Sequence, residues 1–176
     1  MTTKAPVKLK TLKTAEDIHQ RVVALGAELT KKFKGIEPIV ICVLNGSFIF
    51  YADLIRAMDL DLTCEFLGVS SYKNAKVSSG EVEVTLDLSV PLQGKDVILV
   101  EDLIDSGLTM NFITDMIQAR KPKSLTTVAL LVKRESLKTK CQIDFSGFDV
   151  GNEFIVGYGI DYAGEYRNLD YLATID

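Results

Sequence analysis

The chain offers little from which a disulfide framework or a cysteine/histidine metal centre could be built. Of 176 residues only Cys42, Cys64 and Cys141 are cysteine, and only His19 is histidine. The cysteines are odd in number, lack metal-ligand spacing and follow no secretory signal, so they imply a reducing, cytoplasmic setting and read as small core hydrophobes. His19 falls on an expected helix far from any motif and reads as a surface residue without a catalytic part. Basic charge is also not in excess. With 20 Lys and Arg against 24 Asp and Glu the formal charge is -4, which weighs against broad nucleic-acid or membrane binding. No apolar run reaches the length needed to cross a bilayer, and the opening MTTKAPVKLK is too polar for a signal peptide. Repeats, low-complexity tracts and domain linkers are likewise missing.

What remains is the composition of an ordinary globular protein, 47% hydrophobic and 25% charged, of a length suited to one α/β domain spanning residues 1–176. The first ten or so residues read as an exposed arm or edge segment. Thr14 is an expected N-cap for a helix whose Ile18, Val22, Leu25 and Leu29 share a face, with Gly35 as its stop. Ile39–Leu44 reads as a buried strand, turned by Asn45-Gly46-Ser47 into a helix carrying Phe48, Ile49, Ala52 and Ile55. Residues 62–70 and 83–88 read as strands, the second with the alternation of an exposed partner. The polar connection between them, residues 71–81, is long enough to be a lid, or else a hairpin tip. Residues 124–132 give another buried strand ending at Lys133 and Arg134, residues 135–150 a connection with one extended piece, and residues 172–175 a closing edge strand. Strands alternating with helices, with loops gathered at one strand edge, predict a doubly wound, mainly parallel sheet with a small hood from the terminal segments.

Residues 97–110, VILVEDLIDSGLTM, organise the rest. Val97, Ile98, Leu99 and Val100 run without alternation, as a central parallel strand covered on both faces should. Glu101 and Asp102 come where that strand is expected to end, at the edge where open α/β sheets place their ligands, and two adjacent acids there are not expected to be buried unpaired. Asp105, Ser106, Gly107, Leu108 and Thr109 read as a short turn into a helix through Ile113, Met116 and Ile117. Gly107 permits close backbone approach, and the free amides of the helix start point at an anion. Acids that accept from hydroxyls, beside amides that hold a phosphate, describe a pocket for a sugar phosphate.

An apolar strand followed by Glu-Asp, two apolar residues, Asp-Ser-Gly and a Thr resembles the phosphoribosyl-pyrophosphate loop of the type I phosphoribosyltransferases. VLNGSFIFYADLIR, the Ser71-Tyr72 loop, LLVKRE and FIVGYGIDYAGEYRNLDYLATI are together similar to the hypoxanthine-guanine branch, over nearly the whole chain from the first helix onward. Adenine, orotate and uracil relatives share the central loop but not this set. The resemblance implies that Glu101 and Asp102 accept from the ribose hydroxyls and that residues 105–109 hold the 5-phosphate. It makes Asp105 the general acid/base facing the purine's imidazole edge. It implies that Asn45, Gly46 and Arg167 hold pyrophosphate, that Lys133, Phe154 and Ile155 meet the purine, and that Ser71 and Tyr72 belong to a closing lid. Asp161 would face a second magnesium, with Glu101 and Asp102 as the other metal-side acids. The family's loop after the first buried strand usually reads Leu-Lys-Gly; here Leu44-Asn45-Gly46 loses the cation, which puts pyrophosphate affinity in question. Read alone, Phe154 could be core, Asp161 a turn residue, and Lys133 and Arg134 a solvated strand end.

The implied reaction moves a 5-phosphoribosyl group from phosphoribosyl pyrophosphate to a purine nitrogen, releasing pyrophosphate, with Mg2+ engaging oxygen ligands. Purine salvage to inosine or guanosine monophosphate is the leading expectation, in a homodimer or homotetramer with no nucleic-acid or membrane partner. A xanthine-preferring sister enzyme and a catalytically weak, nucleotide- or RNA-binding regulator of the same fold remain the alternatives, and a basic face would favour the regulator.

Overall fold

A computed structural model describes residues 8–71 and 82–175. The chain runs β1 (Leu9–Lys13), α1 (Ala15–Lys32), β2 (Ile39–Leu44), α2 (Phe48–Ala57), β3 (Thr63–Ser71), β4 (Val82–Leu86), β5 (Asp96–Ile104), α3 (Leu108–Gln118), β6 (Ser124–Val132), a 3-10 turn (Arg134–Ser136), β7 (Phe145–Asp149), β8 (Ile155–Val156) and β9 (Leu172–Ile175). Six strands form the main sheet in the order β4-β3-β2-β5-β6-β7. Only β3 and β4 pair antiparallel within it. Apolar runs in β2, β5 and β6 have no exposed face because helices cover both sides. Val40, Cys42, Ile98, Val100, Val128 and Leu130 pack under α1 and α2, whereas Ile41, Val43, Val97, Leu99 and Ala129 pack under α3. The sheet is therefore doubly wound and mainly parallel, as the alternation of elements predicts.

Thr14 caps α1 through a reciprocal pair with Asp17, its hydroxyl accepting from the Asp17 N–H at 3.2 Å while Asp17 accepts from the Thr14 N–H at 3.0 Å. α2 carries Phe48, Ile49, Ala52 and Ile55 as expected and buries Phe50, Tyr51 and Leu54, with Ile49 and Ile55 packed against the same core. Two expectations need correction. Residues 172–175 are not an edge strand: β9 lies between β1 and β8 in a separate three-stranded antiparallel sheet. This is the hood, so the N-terminal segment contributes its edge strand. Cys42 is buried, but Cys64 is exposed and Cys141 half-buried, so the core reading holds only for the first. Burial, then the Glu101 and Asp102 charges, push the Cys42 thiol up to about 12, leaving it an inert hydrophobe.

Candidate active site

Strand register brings the site together. In the parallel pairing of β5 and β6, Ile104 lies beside Val132. The next residues, Asp105 and Lys133, therefore leave adjacent strand ends together, and the Lys133 N–H continues the ladder to the Ile104 carbonyl at 2.9 Å. The Lys133 ammonium reaches the Asp105 carboxylate at 3.8 Å. Lys133 is 8% exposed, so it is no solvated strand end. Arg134, by contrast, is exposed and paired with Asp149 at 2.8 Å, a solvated strand end.

β5 runs further than the apolar residues suggest, to Ile104, so Glu101 and Asp102 lie within the strand and not past its end. Parallel pairing with β6 continues through them, and backbone pairing tolerates polar side chains at a sheet's ligand edge. Asp102 accepts from the Leu103 N–H at 2.8 Å. Glu101 is half-buried, with its Oε2 covered and without a hydrogen-bond partner, the one such side-chain atom among the described residues. Burial, then the Asp102 carboxylate, push the Glu101 carboxyl well above the usual carboxylate range. A buried, unpartnered acid is what the sequence argued against, and a binding site is where that exception has a purpose, because an arriving hydroxyl or cation satisfies it.

Beyond β5 the turn is only Asp105 to Gly107, and Leu108 and Thr109 already belong to α3. Gly107 is the N-cap at φ 82°, with no side-chain cap, and the Ser106 hydroxyl is a distant 3.4 Å from the Leu108 N–H. The first-turn amides are thus available to an anion. Glu101, Asp105, Ser106, Gly107 and Thr109 line a cleft of about 150 Å³ there. Behind it stands a wall that sequence reasoning missed: the Lys138 N–H donates to the Ser106 carbonyl at 3.0 Å, and the Asn111 amide donates to Thr139 and Lys140. A Cβ on Gly107 would meet the Thr139 carbonyl at 3.0 Å. Residues 138–141 carry no local pattern, so their place could not be read from the sequence.

Pairing of Cys42 with Val100 carries the loop after β2 toward Asp102. A Cβ on Gly46 would overlap the Asp102 carboxylate, and one on Gly159 would overlap the Gly46 carbonyl. Glycine at 159 is therefore a steric requirement, because a Cβ there meets backbone, whereas one at 46 would displace only the Asp102 carboxylate; the Leu44–Asn45 peptide beside Gly46 is cis. From the hood, Arg167 donates to the Gly159 carbonyl at 2.6 Å and pairs with Asp161 at 2.6 Å. Asp161 also accepts from the Gly164 N–H at 2.8 Å, so it is a turn residue as well. Phe154 is 51% exposed, which excludes the core reading, and meets Tyr162 edge-on at 5.4 Å. The Ile175 N–H donates to the Phe154 carbonyl. The alternate pair, Ile155 with Thr174, is then the non-bonded one, and Ile155 turns its own N–H and C=O to the open side of edge strand β8. Ser71 ends β3 opposite Val82; Tyr72 lies outside the described residues.

Magnesium prefers oxygen ligands and is commonly held by one or two carboxylates together with substrate phosphates. Glu101 and Asp102 fit that role, given the unpartnered Oε2. Among the described residues no three His, Cys, Asp or Glu are grouped to hold an ion, and Asp161 is engaged by Arg167 and Gly164. A cation held by this pair would take its remaining oxygens from water or a ligand.

A family model described as a phosphoribosyl transferase domain matches residues 8–163. Hypoxanthine-guanine phosphoribosyltransferase from Bacillus subtilis is 45% identical over 94% of this chain and 92% of its own length. The chain belongs to the hypoxanthine-guanine phosphoribosyltransferase family. The Aquifex aeolicus enzyme of that name is 46% identical over 96% of both chains. A crystal structure of a hypoxanthine-guanine phosphoribosyltransferase from Bacillus anthracis superposes with a TM-score of 0.91 at 43% identity, covering 97% of this chain and all of that one. Relatives of this closeness account for the type I phosphoribosyltransferase fold described above.

Proposed function

We propose that the protein transfers a 5-phosphoribosyl group from phosphoribosyl pyrophosphate to hypoxanthine and guanine, a purine salvage reaction that yields the nucleoside monophosphate and pyrophosphate. The observation that carries this reading is the pairing of Lys133 with Asp105 at adjacent strand ends, next to helix-start amides and the Glu101/Asp102 pair. The amides at 107–109 hold the 5-phosphate, and Glu101 and Asp102 accept from the ribose hydroxyls. Asp105 takes or returns the proton on the purine nitrogen. Lys133 donates to the purine's oxo group, Phe154 stacks on the ring, and the outward backbone groups of Ile155 meet its edge. Asn45, Gly46 and Arg167 receive the pyrophosphate. Magnesium supplies charge neutralisation on that leaving group, held by Glu101 and Asp102 with the donor's oxygens.

Among the described residues no helix is long and apolar enough to cross a membrane, and three unpaired cysteines support a reducing, cytoplasmic setting. Assembly into a dimer or tetramer is supported by Phe48 and Phe66, 42% and 43% exposed: Phe66 touches Tyr51 at 5.6 Å, and Phe48 lies one turn before Tyr51 on α2. Incubation with the donor, magnesium and a panel of hypoxanthine, guanine, xanthine and adenine tests the reading. Monophosphates of hypoxanthine and guanine are the expected products. Formation of xanthosine monophosphate alone, or of no product, would overturn it.

A further inference from the structure

Tyr158 and Asp53 lie within quoted motifs but are given no role by them, yet they join the hood to the helix behind the first loop. Tyr158 is 6% exposed and holds φ 48° between two glycines, Gly157 and Gly159, both at φ 101°. Its hydroxyl donates to the Asp53 carboxylate at 2.6 Å. Asp53 sits on α2, which begins directly after Asn45 and Gly46, and it also contacts Arg56. On the hood side the Tyr158 N–H donates to the Leu169 carbonyl at 2.9 Å, and the Gly159 N–H to the Arg167 carbonyl at 3.0 Å. The Gly159 carbonyl then receives the Arg167 guanidinium, while its Cα rests on the Gly46 carbonyl. One hydrogen bond thus stands behind both sides of the expected pyrophosphate subsite. Burial, then the Asp53 contact, push the Tyr158 hydroxyl well above its ordinary range, so it remains a donor at any working pH.

We infer that Tyr158 and Asp53 form a clamp that positions Gly46 and Arg167 for the pyrophosphate of the donor, without touching substrate themselves. The inference rests on the phosphoribosyl transfer proposed above. Such a pair acts on donor binding and leaves the purine side, built on β5, β6 and β8, largely alone. Steady-state kinetics with phosphoribosyl pyrophosphate and hypoxanthine on the full chain, with melting temperatures alongside, test it. Tyr158→Phe is expected to raise the donor KM about tenfold, the scale of one lost hydrogen bond to a charged acceptor, and to change the hypoxanthine KM less than about twofold. Asp53→Ala should reproduce that change, and the double variant should be no worse than either single one, since both remove the same bond. Asp53→Asn keeps an acceptor oxygen and should recover most of the donor affinity. A parent enzyme that turns over, with variants that melt lower but keep the donor KM, would overturn the clamp and leave the proposed function standing. Equal rises in both KM values would overturn it too. A parent without transferase activity would overturn the functional reading itself.

Discussion

Glu101 carries the sharpest conflict between stability and use. Its covered Oε2 has no partner, and its carboxyl is held above the ordinary value of 4.5 by burial and by Asp102. A folded-state pKa above the unfolded one means that the native state keeps the proton longer. Stability then falls as pH rises from near the ordinary value through the raised one, and the loss is complete above it. Glu101→Gln removes the charge and that dependence. Its melting temperature at about pH 8 should exceed the parent's by roughly 2–4 °C, for a gain of about 1 kcal/mol, with the difference vanishing toward pH 4 and turnover lost. Parallel melting curves for the two proteins across pH would contradict this. Lys133 gives a second test at this scale. An ammonium only donates, so it meets the oxo group of hypoxanthine or guanine but not the amino group of adenine. Because it also lies 3.8 Å from Asp105, Lys133→Met takes a cation from the proposed acid/base as well, and turnover should fall for every purine. Recognition is isolated by the ratio: the specificity constants for hypoxanthine over adenine, expected to differ by about four orders of magnitude in the parent, should close by about 100-fold or more in the variant. An unchanged ratio would remove Lys133 from base recognition.

The elements divide by how local their causes are. β2, β5 and β6 were legible because a strand buried on both faces has no polar alternative at any position, and α1 because Thr14 and the spacing of Ile18, Val22, Leu25 and Leu29 agree. The turn into α3 was legible because Gly107 and the acids before it are neighbours in the chain. The hood was legible only as an expectation of terminal segments: the seating of β9 between β1 and β8 joins residues more than 150 apart, and no local pattern encodes it. The same holds for the wall at residues 138–141 and for the contact of Gly159 with Gly46. That contact yields an element-scale prediction. Gly46→Ala places a methyl into the Asp102 carboxylate, so either that side chain must swing away from its bond to the Leu103 N–H or the loop after β2 must give. Destabilisation of about 1–3 kcal/mol is expected, together with a loss of about 100-fold in single-turnover rate, since a displacement near 1 Å at a reacting site has that scale. Gly35→Ala, at a positive-φ turn with open space around it, provides the control: it should lose stability without losing rate. If both variants kept the parent rate, the approach of Gly46 to Asp102 would have no bearing on the chemistry.

For the whole molecule, the arrangement of charge sets the order in which ligands stabilise the fold. The chain is acidic, with 24 Asp and Glu against 20 Lys and Arg, and its carboxylate pair sits half-buried at the sheet edge. Yet among the described residues no three ligating side chains converge on one point, and Asp161 is spent on Arg167 and Gly164. A hard divalent cation that wants near-octahedral oxygen coordination finds two carboxylates here and must draw its remaining ligands from water or from the donor. Phosphoribosyl pyrophosphate alone, in turn, would bring its negative charge against Glu101 and Asp102. Each component therefore lacks what the other supplies, and their binding should be strongly cooperative, a coupling that linkage makes mutual. Thermal melts read this directly. Magnesium alone at millimolar concentration should raise the melting temperature by less than about 1 °C, and the donor with chelator by little more. The two together, at about 100 times the apparent Kd, should contribute about 2.7 kcal/mol, or roughly 5–10 °C for a chain of this size. Glu101→Gln, more stable without ligands, should lose most of that increment. A full shift from magnesium alone would mean that the protein carries a complete metal site of its own, and a full shift from the donor in chelator would mean that Glu101 and Asp102 do not need a cation to admit it.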